Sequence, residues 1–418
     1  MSSTLKNPEY GPAWFVSPWN FRPNAASNPR KLVIHDVTLR DGEQQAGVIF
    51  TAKEKIEIAA ALDRMGVDRI EAGMVAVSAE DREAIRAIVS SKPQAEIWTI
   101  ARSVPKDIEL ALECNVDGVG VILLGNEQYC RIFRWELEEA VTKALTAADC
   151  AKQAGLKTTL LIADSTRMKE ERLKFIVESA TKSNNFTALA LMDTFGALSP
   201  PGTRTMIKAV QSMTDLPLEF HAHNDFGVGT ANALTALATD VSIIHTSVIG
   251  LGERIGNAPF EEVVLAAKLL YGAETSVDLQ QLNNIASLVS KRSGVQLSPH
   301  KPVVGQNFTR IESGTVASEF LRWSAMPDAD LQWIFPYLPS LVGSAPVELV
   351  LCKGSGLANI DSALEKIGLQ ISDDLKQEIV STVKSEASRL HRELTLEEFS
   401  NLATRATEKS KGIARQPH

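Results

Sequence analysis

Eight short apolar runs, each followed by a segment of helical period, fill the sequence from residue 31 to about residue 275. The runs are rich in β-branched and aliphatic residues, whereas the intervening segments repeat apolar positions every three or four residues. Strands that alternate with helices predict a parallel sheet. Eight such units match the size of a (β/α)8 TIM barrel of ~250 residues, with a doubly wound open sheet as the alternative. The predicted strands are 32–37, 69–73, 96–101, 118–124, 157–163, 187–193, 218–223 and 241–250.

The regions on either side of this barrel differ from it in residue composition and in hydrophobic pattern. Residues 1–30 carry five prolines among aromatic residues, which predicts an irregular N-terminal arm. The catalytic barrel is predicted over 31–275, and residues 276–323 are expected to form a helix and a linker. Residues 324–418 lack strand patterns and predict a C-terminal helical subdomain. The fold class is therefore α/β, a TIM barrel with an N-terminal arm and a C-terminal helical extension.

Composition limits the classes of function. Lys and Arg number 43 against 51 Asp and Glu, a net charge of −8 without a basic stripe, which argues against nucleic-acid or anionic-membrane partners. No apolar run reaches ~18 residues, and the N-terminus lacks a signal-peptide pattern. The four cysteines show no ligand-like spacing and predict free thiols in a reducing compartment. We therefore expect a cytoplasmic protein with a small-molecule partner.

Polar side chains follow four of the predicted strands. The motif TLRDGEQQ (38–45) comes after the first strand, Glu71 ends the second, and Asp193 and Thr194 end the sixth. The seventh strand reads FHAHND (220–225). Because a barrel of this kind builds its active site at the carboxyl ends of its strands, these side chains predict one site at the barrel mouth.

The pair His221 and His223 is the most informative of these features. Strand side chains alternate between faces, so residues two apart point the same way, and both imidazoles can face the mouth. With Asp41 they would give two nitrogens and one oxygen for a divalent ion, with positions left for water and substrate. The alternative is two hydrogen-bonded histidines without a metal.

Three further features lie at the same predicted edge. Arg40 is either a rim ion pair or a fixed positive charge that stabilises an oxyanion or enolate. Glu71 is either the structural partner of Arg40 or a catalytic group. The loop GLGERIGNAPFEE (250–262) supplies three glycines and then Asn257 before a helix, which by itself is a weak signal.

Taken together, TLRDGEQ, IEAG, DTFG, HAHNDFG and GLGERIGN resemble the DRE-TIM metallolyase superfamily. Its members include isopropylmalate, homocitrate and citramalate synthases and hydroxymethylglutaryl-CoA lyase. The GERxGN form of the last loop is similar to the synthases, since the lyase loop carries a cysteine that is absent here. Residues 301–314 and 347–356 also resemble the synthases' linker and subdomains.

The resemblance implies a reaction and a role for each site residue. An acyl-CoA, expected to be acetyl-CoA, loses an α-proton, its carbanion attacks the keto carbon of a 2-oxo acid, and the thioester is hydrolysed. A homodimer is implied, because the synthases' linker and subdomains commonly cross to a partner subunit. The resemblance implies a divalent metal (Mg²⁺, Mn²⁺ or Zn²⁺) bound by Asp41, His221 and His223, with Asn257 as a further ligand or near the metal. It implies that Arg40 stabilises the enolate. It also implies that Gln44, Glu71 and Thr194 contact the metal-bound carbonyl or the substrate.

The sequence departs from the synthase pattern at the proton-handling positions. Ala163 stands where the synthases have a glutamate, and Val316 stands in SGTV where they have a histidine. A carbanion mechanism needs a group that takes and returns a proton. The replacements open to this chain are Glu127, Tyr129, Asp164 and His300.

These departures leave three hypotheses. The first is the metal-dependent Claisen condensation of an acyl-CoA with a 2-oxo acid. The second is a metal-dependent aldolase or C–C lyase that acts on a 2-hydroxy or 2-oxo acid without CoA. The third is a metal-binding protein without catalysis, against which the complete Arg40, Asp41 and histidine set argues.

Overall fold

The computed structural model describes residues 8–22, 31–326 and 334–413. Contacts within the chain form two compact units. One consists of Val16–Leu297 with the residues before Gly11, and the other of Gly11–Phe15 with the residues from Ser298 onward. Parts of the predicted arm, residues 1–7 and 23–30, and the last five residues of the predicted helical subdomain lie outside the described residues.

The first unit is a closed barrel of eight parallel strands, which confirms the predicted fold class. Each strand pairs with its sequence neighbours, and β8 pairs with β1 to close the ring. The strands are β1 Val33–Asp36, β2 Arg69–Met74, β3 Glu96–Arg102, β4 Gly118–Leu123, β5 Lys157–Ile162, β6 Ala188–Asp193, β7 Leu218–Ala222 and β8 Ile243–Thr246.

The eighth strand is shorter than the predicted span 241–250. Ile249 and Gly250 both have positive φ angles, of 54° and 75°, which extended strands do not adopt. The chain therefore leaves the barrel after Thr246 and makes a 3₁₀ turn over Val248–Gly250.

Helices follow the strands and cover the barrel. Several begin at side-chain caps; for example, Thr51 and Glu54 form a capping box at the first helix. The helices of the barrel unit are α1 Ala52–Arg64, α2 Ala79–Ser90, α3 Pro105–Glu113, α4 Glu127–Phe133, α5 Leu137–Gln153, α6 Glu170–Ser183, α7 Pro200–Gln211, α8 Gly229–Leu237, α9 Phe260–Tyr271 and α10 Leu282–Ser293.

Two glycines on β4 make room for large side chains inside the barrel. A β-carbon at Gly118 would lie 2.4 Å from the ring of Trp98, which is fully buried. A β-carbon at Gly120 would lie 2.7 Å from Leu161 Cδ1. The Trp98 ring leaves no space for a β-carbon at Gly118, and a β-carbon at Gly120 would require the Leu161 side chain to shift.

The second unit holds four of the described helices, α11 Gly314–Ser324, α12 Leu357–Lys366, α13 Asp373–Leu390 and α14 Leu396–Ile413. The last three enclose an apolar core that includes Ile360, Ile379 and Phe399. Apart from Gly11–Phe15, the unit runs from Ser298, whereas the sequence pattern predicted a subdomain from residue 324; α11, which precedes that residue, packs against α12. Within the described residues, no helix is long and apolar enough to cross a membrane.

Candidate metal centre and active site

A tight turn after β1 brings the first predicted site residues to the barrel mouth. The carbonyl of Val37 accepts hydrogen bonds from the backbone N–H groups of Arg40 and Gly42, both at 3.1 Å. This reversal buries the side chains of Arg40 and Asp41, which are 8% and 2% exposed. The turn thus fixes a guanidinium and a carboxylate beside each other at the end of a strand.

His221 on β7 and His223, directly after it, face the same carboxylate. The Nε2 atoms of His221 and His223 are 3.2 Å apart, and they lie 3.5 Å and 3.7 Å from Asp41 Oδ2. Metal bonds of ~2.0–2.2 Å place neighbouring ligand atoms about 3–3.5 Å apart. All three side chains are buried, and their donor atoms could hold one ion.

The loop after β8 closes one side of this group. Asn257 Nδ2 donates to Asp41 Oδ1 at 3.2 Å and to the carbonyl of Leu251 at 2.8 Å, while its Oδ1 is buried without a partner among the described residues. A β-carbon at Gly252 would lie 2.2 Å from Asn257 Nδ2 and 2.9 Å from Asp41 Oδ1. The glycine-rich loop is therefore required by its close approach to the carboxylate.

The electrostatics of the group suit a metal. Burial lowers the pKa of His221 well below its ordinary value, and the neighbouring His223 lowers it further. Burial also lowers the pKa of His223. Burial alone would raise the pKa of Asp41, but the Arg40 guanidinium and the imidazoles reverse this and hold the pKa below its usual range. Neutral imidazoles beside an ionised carboxylate are the states that metal ligands need.

Arg40 links Asp41 to the end of β2. Its Nη1 donates to Asp41 Oδ2 at 2.8 Å and to Gln44 Oε1 at 3.2 Å, and its Nε donates to Glu71. Burial would raise the pKa of Glu71, but the Arg40 charge holds it below its ordinary value. The Nη2 atom of Arg40 is buried without a partner among the described residues. One strongly positive donor is thus left for a ligand.

The structure connects most of the residues singled out from the sequence. Arg40 contacts Asp41, Gln44 and Glu71, and Asp41 in turn contacts both histidines and Asn257. Thr194 makes other contacts: its hydroxyl accepts from the backbone N–H of Asp164 at 2.8 Å, and its carbonyl accepts from Arg254 at 2.6 Å.

A second buried histidine group inside the barrel, His35, His245 and Glu219, was not predicted. The two rings stack, with centroids 4.3 Å apart and planes 13° from parallel, so their in-plane lone pairs do not converge on one ion. Glu219 already binds His245 at 2.8 Å, Arg69 at 2.9 Å and Thr159 at 3.0 Å. We assign this group to the core of the barrel.

A cation–aromatic cluster on the rim was also missed. The guanidinium carbons of Arg167 and Arg254 lie 3.8 Å and 5.1 Å from the ring centroid of Phe195. Arg254 forms a two-point ion pair with Asp225, at 2.8 Å and 3.0 Å. Arg254 in GERIGN and Asp225 in HAHND are the motif signals that could have indicated this link between two loops.

The candidate replacements for the missing base differ in their surroundings. Asp164 accepts two hydrogen bonds from Arg167, both of 2.8 Å, and one from Asn126 at 2.5 Å, so both of its carboxylate oxygens are already hydrogen-bonded. Burial and the nearby Asp164 raise the pKa of Tyr129, which keeps its phenol neutral. Glu127 has one buried oxygen, Oε1, without a partner among the described residues. His300 belongs to the second unit, where it contacts Asn307 at 3.2 Å.

Both departures from the synthase pattern are visible in the structure. Ala163 directly follows β5, is 3% exposed, and extends the sheet through a bond from its N–H to the carbonyl of Leu123. Val316 lies in the first turn of α11 and is 40% exposed. A methyl group and an isopropyl group therefore stand where proton-handling side chains are expected.

Comparison with known proteins finds relatives over most of the chain. Residues 31–289 match the HMGL-like family model. A homocitrate synthase, AksA, of Methanopyrus kandleri is 34% identical over 86% of this chain and 89% of its own length. Homocitrate synthase 1 of Nostoc sp. is 35% identical over 89% of this chain and 97% of its own. The 2-isopropylmalate synthase of Methanocaldococcus jannaschii is 34% identical over 85% and 68%.

Among solved structures, the HMG-CoA lyase of Bacillus subtilis is similar to the barrel. The TM-score is 0.61 at 21% identity, and the match covers 66% of this chain and 98% of the lyase. At this identity the likeness concerns the fold.

Proposed function

Because the chain belongs to the HMGL-like family, within the DRE-TIM metallolyase superfamily that its motifs predict, we propose that it joins an acyl-CoA to a 2-oxo acid in a metal-dependent, Claisen-type condensation. Relatives that are 34% identical to it are named homocitrate, 2-isopropylmalate and citramalate synthases. The observation that carries the proposal is the convergence of Asp41, His221 and His223 on one point beside Arg40.

Asp41, His221 and His223 would hold a divalent ion, and Asn257 would orient Asp41 or join the ligand set. Two nitrogens and one carboxylate suit Mg²⁺, Mn²⁺ or Zn²⁺. When bound, the ion would polarise the keto group of the 2-oxo acid.

The chain's own residues would position the charge that develops during carbon–carbon bond formation. Nη2 of Arg40, which has no partner among the described residues, is a donor available to an oxyanion. Glu71, Asp41 and Gln44 hold that guanidinium in place, so it does not reorient during the reaction. Gln44 and Thr194 are proposed substrate contacts from the same mouth.

The methyl group of Ala163 is the observation that favours the alternative, a CoA-independent lyase or aldolase. With one carboxylate fewer, the removal of an α-proton from an acyl-CoA falls to another group. In the barrel unit, Glu127 is a candidate acceptor and Tyr129, kept neutral, a candidate donor. Only the condensation releases free CoA, so this product distinguishes the two reactions.

The test is thiol release from a panel of acyl-CoAs with 2-oxo acids, using protein freed of metal and then supplied with Mg²⁺ or Mn²⁺. We expect release that requires the metal and a 2-oxo acid together. If no pair releases CoA while 2-hydroxy acids are cleaved, the alternative is correct. Light scattering would check the expected homodimer, since a monomeric mass contradicts it.

A further inference from the structure

At the carboxyl ends of the strands, the side chains that face the barrel interior form a polar half and an apolar half. Residues paired in register on neighbouring parallel strands point to the same side of the sheet. His221 on β7 pairs with Met192 on one side and with His245 on the other. The polar half therefore ends at β7, and the apolar half begins at Met192 on β6.

The apolar half is formed by β3 to β6. Ile100, Leu161 and Met192 pack together with Ala190, and Ile122 lies against them. Ile122 is only partly buried, although its strand β4 is paired with a strand on each side. Since Met192 is the in-register neighbour of a predicted metal ligand, a substrate held at that ligand has this wall beside it.

The cations nearest this wall are already paired. Arg102, at the end of β3, binds both oxygens of Asp107 at 2.8 Å and 2.9 Å. Arg167, after β5, binds both oxygens of Asp164. Each of these two cations already has a carboxylate of the chain as its counter-ion, so neither is an unpaired charge that a second substrate carboxylate could neutralise.

From this arrangement we propose that the 2-oxo acid carries an uncharged alkyl side chain, which lies against Ile122 and Met192. The inference rests on the proposed function, because it names the class of 2-oxo acid used at the same site. A carboxylate on that side chain would lose its hydration without gaining a partner, whereas an alkyl group gains apolar contact. Although several similar proteins are named homocitrate synthase, this wall favours substrates without a second carboxylate.

Matched pairs of 2-oxo acids test the class directly. 2-Oxopentanoate and 2-oxoglutarate have the same chain length, and so do 2-oxobutanoate and oxaloacetate; within each pair a methyl group replaces a carboxylate. We expect kcat/KM for thiol release to be about 100-fold higher for the alkyl member of each pair. Equal or reversed preference would overturn the inference while leaving the condensation itself established.

Binding calorimetry with the metal-loaded protein separates the two proposals. The alkyl acid of each pair should bind at least about tenfold more tightly, whether or not thiol is released. If the alkyl acids bind more tightly but no thiol is released, only the condensation is refuted. Tighter binding of the dicarboxylic acids would refute the substrate class.

A charge placed on the wall should change the preference. Ile122→Arg offers a partner to a second carboxylate and removes apolar contact, so the alkyl-to-dicarboxylate ratio of kcat/KM should fall by at least about tenfold. Leu270→Arg adds the same charge on the partly exposed outer surface of α9 and should leave the ratio unchanged. An unchanged ratio in the Ile122 variant, with folding verified by circular dichroism, would place the substrate side chain elsewhere.

Discussion

The unpartnered Nη2 of Arg40 leads to a quantitative prediction for Arg40→Lys. A lysine keeps the positive charge beside Asp41, but its single ammonium cannot reproduce the fork that contacts Glu71, Asp41 and Gln44 and still leaves one donor free. Loss of one donor aimed at a developing oxyanion costs ~2.7–4 kcal/mol, a factor of ~10²–10³ in kcat. Bound metal and overall stability should change little, since the charge remains.

Arg40→Ala should add a second effect. The buried carboxylate of Glu71, 1% exposed, would lose the guanidinium that holds its pKa down. Removing one partner of a buried pair costs ~3–5 kcal/mol of unfolding free energy. The alanine variant should therefore be slow and unstable, whereas the lysine variant should only be slow.

The assay is steady-state thiol release together with metal content and urea denaturation for both variants. Arg310→Lys is the matched control, because Arg310 also bridges two carboxylates, Glu348 and Glu393, but belongs to the second compact unit. Unchanged kcat in Arg40→Lys would refute a role for Nη2 in charge stabilisation. Loss of metal in that variant would instead show that Arg40 serves to hold Asp41.

Three further predictions concern metal, pH and packing. His223→Ala should lose tightly bound divalent metal and turnover together, measured by elemental analysis and thiol release, with His391→Ala in the second unit as a control that keeps both. Burial and His245 lower the pKa of His35 to about 4, so as the pH falls the unfolded chain protonates this histidine before the folded protein does. Between pH ~6.5 and ~4 the wild type should therefore lose about 3 kcal/mol of unfolding free energy relative to His35→Phe. Equal shifts of the urea midpoint in the two proteins would contradict this. Gly120→Ala places a β-carbon 2.7 Å from Leu161 and should destabilise the barrel by ~1–3 kcal/mol in urea denaturation, with an unchanged midpoint as the refuting result.

Local patterns predicted much of this molecule because a barrel repeats one unit. Apolar runs and helical periods locate strands and helices, and alternation along β7 places His221 and His223 on one face before any tertiary contact is known. The end of β8 was overextended, because the apolar Ile249 continues the strand pattern while its positive φ ends it. Hydrophobicity does not report a backbone angle.

Contacts between loops could not be predicted in the same way. Phe195 between Arg167 and Arg254 depends on three separate loops meeting at the rim. His35 stacks on His245 because β8 closes on β1, which are the most distant strands in the chain. Both features follow from barrel closure, and a strand-by-strand pattern contains no information about the side-chain distances that closure creates.

The division of the interior also constrains how protons are handled. The charged side chains beside the proposed metal ligands are held in ion pairs, as Glu71 with Arg40 and Asp41 with Arg40. Across the barrel, Asp164 is held by Arg167 and Asn126, and Ala163 offers no acid. A base drawn from Glu71 or Asp41 would first have to break a buried ion pair, at a cost comparable to the catalytic gain of ~10²–10⁴ that general base catalysis supplies. Asp164 would have to give up its bonds from Arg167 and Asn126. If the proposed function is correct, α4 is the better place to seek the proton-transfer group, because Glu127 Oε1 has no partner among the described residues and the raised pKa of Tyr129 keeps its phenol neutral.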